Sequence, residues 1–399
     1  MKNIIKKKLN HKNTYCKSLV ALGLLFASSS SYAEIDLYDK NNTKVSVDAF
    51  LSAFYVNTDS DFSDPARIDK EQSRIRIGYV PNWIGFNFST TTDSGLTLGA
   101  RSSFWVSVGD QVDDSQLTDS VVDTRQFYGT VSGEWGEVLF GKDFEVFSRT
   151  TVFNDVNLMG VGNVSQTLGV VDFEFVSFGN LGTGHTFPLP IGQITYRTPE
   201  MSGFNLAVSM VDPSKQASSA TINSQEKKPR FEAELTYDKK WQDVSLTAFL
   251  GGTTQESEQL IAGGDSIKSN GINYGVLIKQ SGFVLHLSAL DGSGIGPLIN
   301  SQGGHILNAA GKFQELDVKA RLVQLSYSFG NEKLFISSGK TEQEGGLPQS
   351  DNTFDAKSLA IGWYHKFSEQ LTLLTEYNQF EHKNLEEVDI VSMGIELTF

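Results

Sequence analysis

The sequence predicts an all-β fold, a transmembrane antiparallel β-barrel of about 16 strands. Three observations predict it: segments that alternate apolar and polar residues, connections that alternate between short and long, and an N-terminal export signal. Alternation with a period of two indicates a strand with one apolar and one polar face. Bacterial outer-membrane barrels join an even number of such strands by short turns at one end and long loops at the other.

The last strand shows this alternation most clearly. One face carries the apolar residues Val391, Met393, Ile395, Leu397 and Phe399, and the other face is mostly polar. A half-buried strand of a soluble sandwich would give the same pattern. A C-terminal aromatic residue in an exported chain favours the outer-membrane barrel. The strand is expected to pair with the first one, near Lys44–Val56, because closure removes an edge that lipid cannot satisfy.

Residues 1–33 are predicted to be a secretory signal, and residues 34–399 the mature barrel. Six lysines precede the short apolar run Ser18–Ala27, and Ser31-Tyr32-Ala33 supplies small residues for cleavage. Without the signal, the chain keeps 27 basic and 47 acidic residues, a formal charge of −20 that argues against nucleic acid as a partner. The single cysteine, Cys16, lies in the signal, which excludes disulfides and thiolate metal sites from the mature chain.

The connections predict sixteen strands. Short turns are expected at 92–95, 132–136, 198–203, 238–243, 279–282, 329–332 and 367–370, and longer loops near 57–71, 108–122, 144–190, 212–228, 255–270, 291–316, 341–353 and 381–386. Fourteen and eighteen strands are the alternatives, because residues 72–92 could hold one long strand or a loop and a strand. Around Pro81 the apolar residues switch from odd-numbered to even-numbered positions, as they do at a β-bulge.

The longest connection, residues 144–190, is rich in Phe, Val and Gly. A barrel of about sixteen strands is too wide for its own side chains to fill and leaves an aqueous channel. An outer loop of this composition would form an adhesive patch on the surface. We therefore expect the loop to fold into the lumen and narrow the channel. Packing on a neighbouring subunit is the alternative.

The stretch Asp123–Asp143, DTRQFYGTVSGEWGEVLFGKD, resembles the Arg-x-x-Tyr-x-Gly and Gly-x-x-x-x-Gly-Arg hairpin of the Gram-negative general porins. Residues 85–104 and 191–210 resemble two other strand pairs of that family, and its chains also end in Phe. The resemblance implies a homotrimer of sixteen-stranded barrels, each with its third loop folded inside. It also implies that Phe399 is the assembly signal that the barrel-assembly machinery recognises.

The resemblance further implies a constriction in which loop acids face basic residues of the wall. The candidates are the loop residues Asp155, Asp172 and Glu174 and the wall residues Arg101, Lys142, Arg197 and Arg76. Trp83 occupies a place where the family often has a wall Arg, and the family's Pro-Glu-Phe-Gly-like loop motif is absent. An ordinary solvated residue of the lumen or rim is the alternative for each charge.

We expect a water-filled channel for passive diffusion of ions and small hydrophilic solutes. The net negative charge, together with acids on apparent inner faces, predicts a weak preference for cations. Those acids are Glu232, Glu234, Glu376 and Glu396. The alternatives are a substrate-selective channel, for which Phe249 and Phe380 provide few aromatic contacts, and a mainly structural or adhesive surface barrel.

The sequence predicts no enzyme. The histidines of the mature chain are scattered, and we find no GxSxG, P-loop, HExxH or EF-hand pattern. No cofactor and no metal site are expected. The expected partners are two further copies of the chain, lipopolysaccharide and outer-membrane lipid, the barrel-assembly machinery and small hydrophilic solutes.

Overall fold

The computed structural model describes residues 34–106, 122–165, 177–215, 218–219, 222–260, 266–300, 303–307, 312–344 and 354–399. The predicted signal, residues 1–33, lies outside this part of the chain. Strands make up most of what is described, with one short helix, α1 (Arg149–Phe153). Across the described ranges, no helix is long and apolar enough to cross a membrane.

The strand pairs are antiparallel, and most join strands that follow one another along the wall. The first eleven are β1 (Ile35–Lys40), β2 (Thr43–Phe62), β3 (Lys70–Arg76), β4 (Asn82–Thr91), β5 (Thr97–Val106), β6 (Asp123–Gly133), β7 (Gly136–Phe144), β8 (Pro190–Arg197), β9 (Phe204–Val211), β10 (Ser218–Ser219) and β11 (Ile222–Gln225). The others are β12 (Arg230–Trp241), β13 (Val244–Gln259), β14 (Ser266–Gln280), β15 (Phe283–Ser293), β16 (His305–Leu307), β17 (Phe313–Glu315), β18 (Asp317–Phe329), β19 (Glu332–Glu344), β20 (Asp355–Lys366), β21 (Leu371–His382) and β22 (Glu386–Thr398).

A closed barrel of sixteen strand positions is formed, in which β3 and β4 together occupy one position. The ring runs through β2, the interrupted pair β3 and β4, then β5 to β9, β12 to β15 and β18 to β22. β2 and β22 close it, with partners that run from Phe50 and Thr398 to Phe62 and Glu386. The backbone of Phe399 continues this pairing through two hydrogen bonds with Ala49, of 2.5 and 3.1 Å. The predicted strand count and the predicted closing pair are both confirmed.

The change of apolar parity near Pro81 is also confirmed, but it arises from a break of several residues and not from a one-residue bulge. β3 and β4 both pair with β2, and residues 78–81 between them are outside the ladder. Arg74 and Arg76 lie on the partly buried face of β3, whereas Trp83 lies on the buried face of β4, so the parity shifts by one residue. A single interrupted strand therefore occupies the region where the sequence allowed either one strand or a loop and a strand.

Seven short connections lie at one end of the barrel. They join β4 to β5, β6 to β7, β8 to β9, β12 to β13, β14 to β15, β18 to β19 and β20 to β21. Each overlaps a turn that the sequence predicts. Tight turns of this kind need positive φ, and glycine supplies it at Gly203 (94°) and Gly282 (90°).

The two faces of the wall differ in chemistry. On β22, Val391, Met393 and Ile395 are 53–54% exposed, whereas Ile390, Ser392 and Glu396 on the other face are buried. The same alternation of exposed and buried positions runs along β18, β19 and β20. The exposed apolar face is suited to lipid, and the buried face, called the inner face below, encloses the lumen.

Changing Ile395 to Arg should destabilise the barrel by about 2–4 kcal/mol, because this substitution puts a charge on the lipid face. Urea unfolding in lipid vesicles, followed by the gel shift between folded and unfolded chain, measures the free energy. Glu387→Arg, on the same face of β22 but beside the outer rim, is the matched control and should change stability little. Equal losses for both variants would contradict the assignment of the lipid face.

Candidate functional site

The connection between β7 and β8, called the 145–189 segment, contacts the inner face on several sides of the barrel. Its described parts are residues 145–165 and 177–189. It begins at β12, where the backbone N–H groups of Val146 and Phe147 donate to Glu232 Oε2 over 2.9 and 3.0 Å. The Thr150 hydroxyl then donates to Glu234 Oε1 over 2.7 Å. Inner-face carboxylates of one strand therefore fix the start of the segment.

A buried charge cluster supports this first anchor. Arg230 forms ion pairs with Glu145 and with Glu232, the latter over 3.1 Å between Nε and Oε1. All three side chains are at most 2% exposed. A buried carboxylate is costly unless it has charged and hydrogen-bonding partners. Arg230 and the two backbone N–H groups provide these partners to Glu232.

A second anchor lies on β21. Val161 and Gly162 donate their backbone N–H groups to Glu376 Oε2 over 3.1 and 2.7 Å, and Tyr364 Oη donates to Glu376 Oε1 over 2.5 Å. A side chain at Gly160 would collide with Glu376 and Tyr364, so it would displace the Glu376 carboxylate from these partners. Hydrogen bonds from backbone N–H to a carboxylate are about twice as strong as neutral ones.

Between the anchors, Asp155 is the centre of a buried polar network. Its carboxylate accepts hydrogen bonds from Gln324 Nε2 (2.6 Å) and Asn180 Nδ2 (2.8 Å) and lies 3.1 Å from His185 Nε2. Burial alone would raise the pKa of Asp155, but these contacts outweigh it and hold the pKa below its ordinary value. The ionised form therefore stabilises the fold above that ordinary pKa, and the contribution is lost as the pH falls through the lowered value.

Apolar contacts also hold the 145–189 segment against the inner face. Val161 and Val164 pack in a buried cluster with inner-face residues that include Phe54, Phe335 and Phe380. On another side, Phe187 packs against the stacked rings of Phe50, Trp83 and Trp105, with Phe144 between them. Inner-face side chains on more than one strand thus contact the segment.

The break between β3 and β4 takes part in the same arrangement. Tyr79 donates its backbone N–H to Gly160 O over 2.8 Å. A side chain on Gly78 would collide with that same carbonyl. The interruption at Pro81 therefore gives the segment a backbone contact that an unbroken ladder would not leave available.

The predicted wall residues Arg101 and Arg197 lie on the inner face and bind wall acids. Arg101 forms a bidentate ion pair with Asp48, over 2.6 and 3.0 Å. Arg197 Nη1 lies 3.0 Å from Glu137 Oε1 on the neighbouring strand. Asp155 binds His185, Gln324 and Asn180 instead. The structure therefore does not pair Asp155 with Arg101 or Arg197.

The other candidates lie in different environments. Arg76 is on the inner side of β3, opposite Phe54. The prediction that Lys142 faces the constriction is wrong. Lys142 pairs in register with Phe127 and shares the outward face with Phe140. Its Nζ lies 3.8 Å from Asp123 Oδ1, so it belongs to the outer surface of the wall. Asp172 and Glu174 lie outside the described residues.

The anchoring role of the inner-face glutamates was not predicted. Glu232, Glu234 and Glu376 were expected to line the open lumen, but they are 2–7% exposed and bind the segment. Glu386 is a further example, because it accepts a hydrogen bond from the Ser165 hydroxyl. Arg149 was also missed: its Nη1 lies 3.2 Å from Asp143 Oδ2, and its side chain stays 20% exposed.

The chain matches the Gram-negative porin family over residues 18–385. It therefore belongs to this family, and it is an integral β-barrel of the outer membrane that forms a channel. No curated protein matches the chain in sequence.

Solved structures share the fold at low sequence identity. The outer membrane channel DcaP of Acinetobacter baumannii is 14% identical, with a TM-score of 0.67 over 92% of this chain and 100% of that one. The anion-selective porin from Comamonas acidovorans is 16% identical, with a TM-score of 0.63 over 90% and 100%. OmpF of Salmonella typhi, in complex with daunomycin, is 13% identical, with a TM-score of 0.56 over 92% and 100%.

Changing Glu376 to Ala should loosen the 145–189 segment, because two backbone N–H groups lose their acceptor at a cost of about 1–3 kcal/mol. We expect noisier single-channel currents in planar bilayers and a higher mean conductance. Glu381→Ala is the control: Glu381 is on the same strand but pairs with Lys357 on the outer surface. If both Glu376→Ala and Glu381→Ala gave currents with the noise and mean conductance of the unchanged protein, the Glu376 anchor would have no effect on the channel.

Proposed function

We propose that this protein is a water-filled channel for passive diffusion of ions and small hydrophilic solutes, narrowed by the 145–189 segment within its lumen. One observation carries the proposal: Glu232 on β12 and Glu376 on β21, from separate parts of the wall, both bind backbone N–H groups of this segment. Because these inner faces are so far apart in the ring, their shared contacts with the segment support its placement inside the barrel.

Single-channel recording in planar bilayers tests the proposal, together with the swelling of liposomes in sugars of graded size. We expect ohmic currents and uptake that falls smoothly as the sugar becomes larger. Blockade by one sugar alone would favour a substrate-selective channel. A folded protein that conducts no ions would favour a structural or adhesive barrel.

We also propose a weak preference for cations, which rests on the excess of acidic over basic residues in the whole chain. The inner-face glutamates supply little of it, because Glu232, Glu234 and Glu376 are buried against the segment. The lumen also holds Arg101, Arg149 and Arg197, each in an ion pair. The preference should therefore be small.

The reversal potential in a KCl gradient measures this preference directly. We expect a small potential with the sign that cation flow produces, and a smaller magnitude at higher salt because surface charges are screened. A potential of the opposite sign would contradict the proposal and would instead match the anion selectivity described for the similar porin from Comamonas acidovorans.

We further propose a homotrimer in contact with lipopolysaccharide and outer-membrane lipid. A structure of OmpT of Vibrio cholerae, 13% identical with a TM-score of 0.54, is described as a trimer form. Trimeric channels close in three equal steps under high voltage, so the number of closing steps per insertion tests this assembly. Single-step closure would indicate a monomer.

Deleting Phe399 should reduce assembly, because we propose that this residue is the signal for the barrel-assembly machinery. The backbone of Phe399 also pairs with Ala49, so Phe399→Ala keeps these hydrogen bonds and serves as the second variant. We expect both variants to lower the amount of barrel in the outer membrane. Conductance per assembled channel should stay unchanged. Normal assembly of both variants would contradict the assignment.

A further inference from the structure

A second connection, between β15 and β18, also contacts the inner face. The sequence marks residues 291–316 only as one of the longer loops. Ile295 is fully buried and packs with Phe147, Leu290, Val318 and Ala320. Its side chain fills the space over two wall glycines, Gly271 and Gly292. The start of this connection therefore turns inward from the wall.

The connection then continues to the 145–189 segment. Phe187 donates its backbone N–H to Leu298 O over 2.9 Å, and Phe187 and Ile299 form a parallel β-bridge. The ring of Phe187 lies 6.1 Å from both Tyr79 and Phe144. Tyr79 lies in the break between β3 and β4, at the second position of the ring, whereas β15 is the eleventh of sixteen. These strands are on nearly opposite sides of the barrel, so the two connections together span the lumen.

Two polar contacts hold this connection at other points of the wall. Asn300 Nδ2 donates to Glu232 Oε1 over 3.4 Å, and Glu232 is the same carboxylate that anchors the 145–189 segment. Gln343 Nε2 on β19 donates to Gly303 O over 2.8 Å. The connection is thus held by β12 and β19 as well as by its own flanking strands.

We propose that residues 294–300, called the crossing segment, are a second size-limiting element of the channel. This inference rests on the proposed function. The crossing segment, Gly-Ile-Gly-Pro-Leu-Ile-Asn, contains no ionisable side chain. It therefore limits passage by occupying the cross-section and not by charge. Its substrates are the neutral hydrophilic solutes near the upper size limit of the channel, for which the remaining cross-section decides entry.

The test replaces Gly294–Leu316 by Asn-Gly. Ser293 and Asp317, which flank the deletion, are direct partners across β15 and β18, and Asn-Gly is the preferred two-residue hairpin turn. The deletion removes one lysine and one glutamate, so the formal charge is unchanged. Replacing Ser63–Ile68 by Asn-Gly is the matched control, because it shortens an exposed connection, removes one aspartate and one arginine and leaves the crossing segment intact.

In the deletion variant, single-channel conductance should rise by about twofold, because it follows the open cross-section. The relative uptake of large sugars should rise, whereas the reversal potential in a KCl gradient should stay unchanged. The control should match the unchanged protein in all three measurements. If the unchanged protein and the deletion variant conduct alike, this inference is wrong. If the unchanged protein conducts nothing, the proposed function fails instead.

A point variant keeps the inference testable if the deletion lowers assembly. Leu298→Ala leaves the backbone bond to Phe187 in place and removes only side-chain volume beside Gly182. We expect a smaller increase in the uptake of large sugars, with normal heat-modifiable mobility on gels as evidence of folding. A variant that folds normally and shows unchanged sugar uptake would overturn the role of the crossing segment.

Discussion

The structure depends on closure of the sheet, because a barrel in lipid cannot leave backbone N–H and C=O groups without partners. Pairing of β2 with β22 joins residues from opposite ends of the chain and removes both edges. Closure of sixteen strands also creates an interior too wide for the wall side chains to fill. We propose that the chain's own connections fill part of this interior, which would explain why inner-face side chains bind them.

Some inner-face carboxylates hold backbone, and others bind inner-face arginines. The 145–189 segment has N–H groups that neither a helix nor a ladder satisfies, and buried donors require acceptors. Glu232 and Glu376 each accept two of them from neighbouring residues, and Asp155 accepts side-chain donors from β18 and from the segment itself. Acidic residues on a porin wall are therefore poor indicators of ion preference until their partners are known.

Alternation and turn chemistry predict the fold well, because both depend on residues close in sequence. The strand count, the closing pair and the change of apolar parity near Pro81 are examples. The site is harder to predict: alternation shows that Glu376 faces inward but not that its partners are Val161 and Gly162, 214 or more residues away. Lys142 shows a different limit. Likeness to a family hairpin placed it in the lumen, whereas its alternation with Phe140 places it on the outer surface.

Chemical modification of one cysteine at Asn154, at the end of α1, tests most directly whether the anchored segment narrows the channel. The only native cysteine, Cys16, lies in the predicted signal, so Asn154→Cys would be the single thiol of the mature chain. A bulky thiol reagent should lower the conductance of this variant, whereas labelling of Asp64→Cys on an exposed outer connection should leave it unchanged. Complete labelling at residue 154 with unchanged conductance would contradict the account.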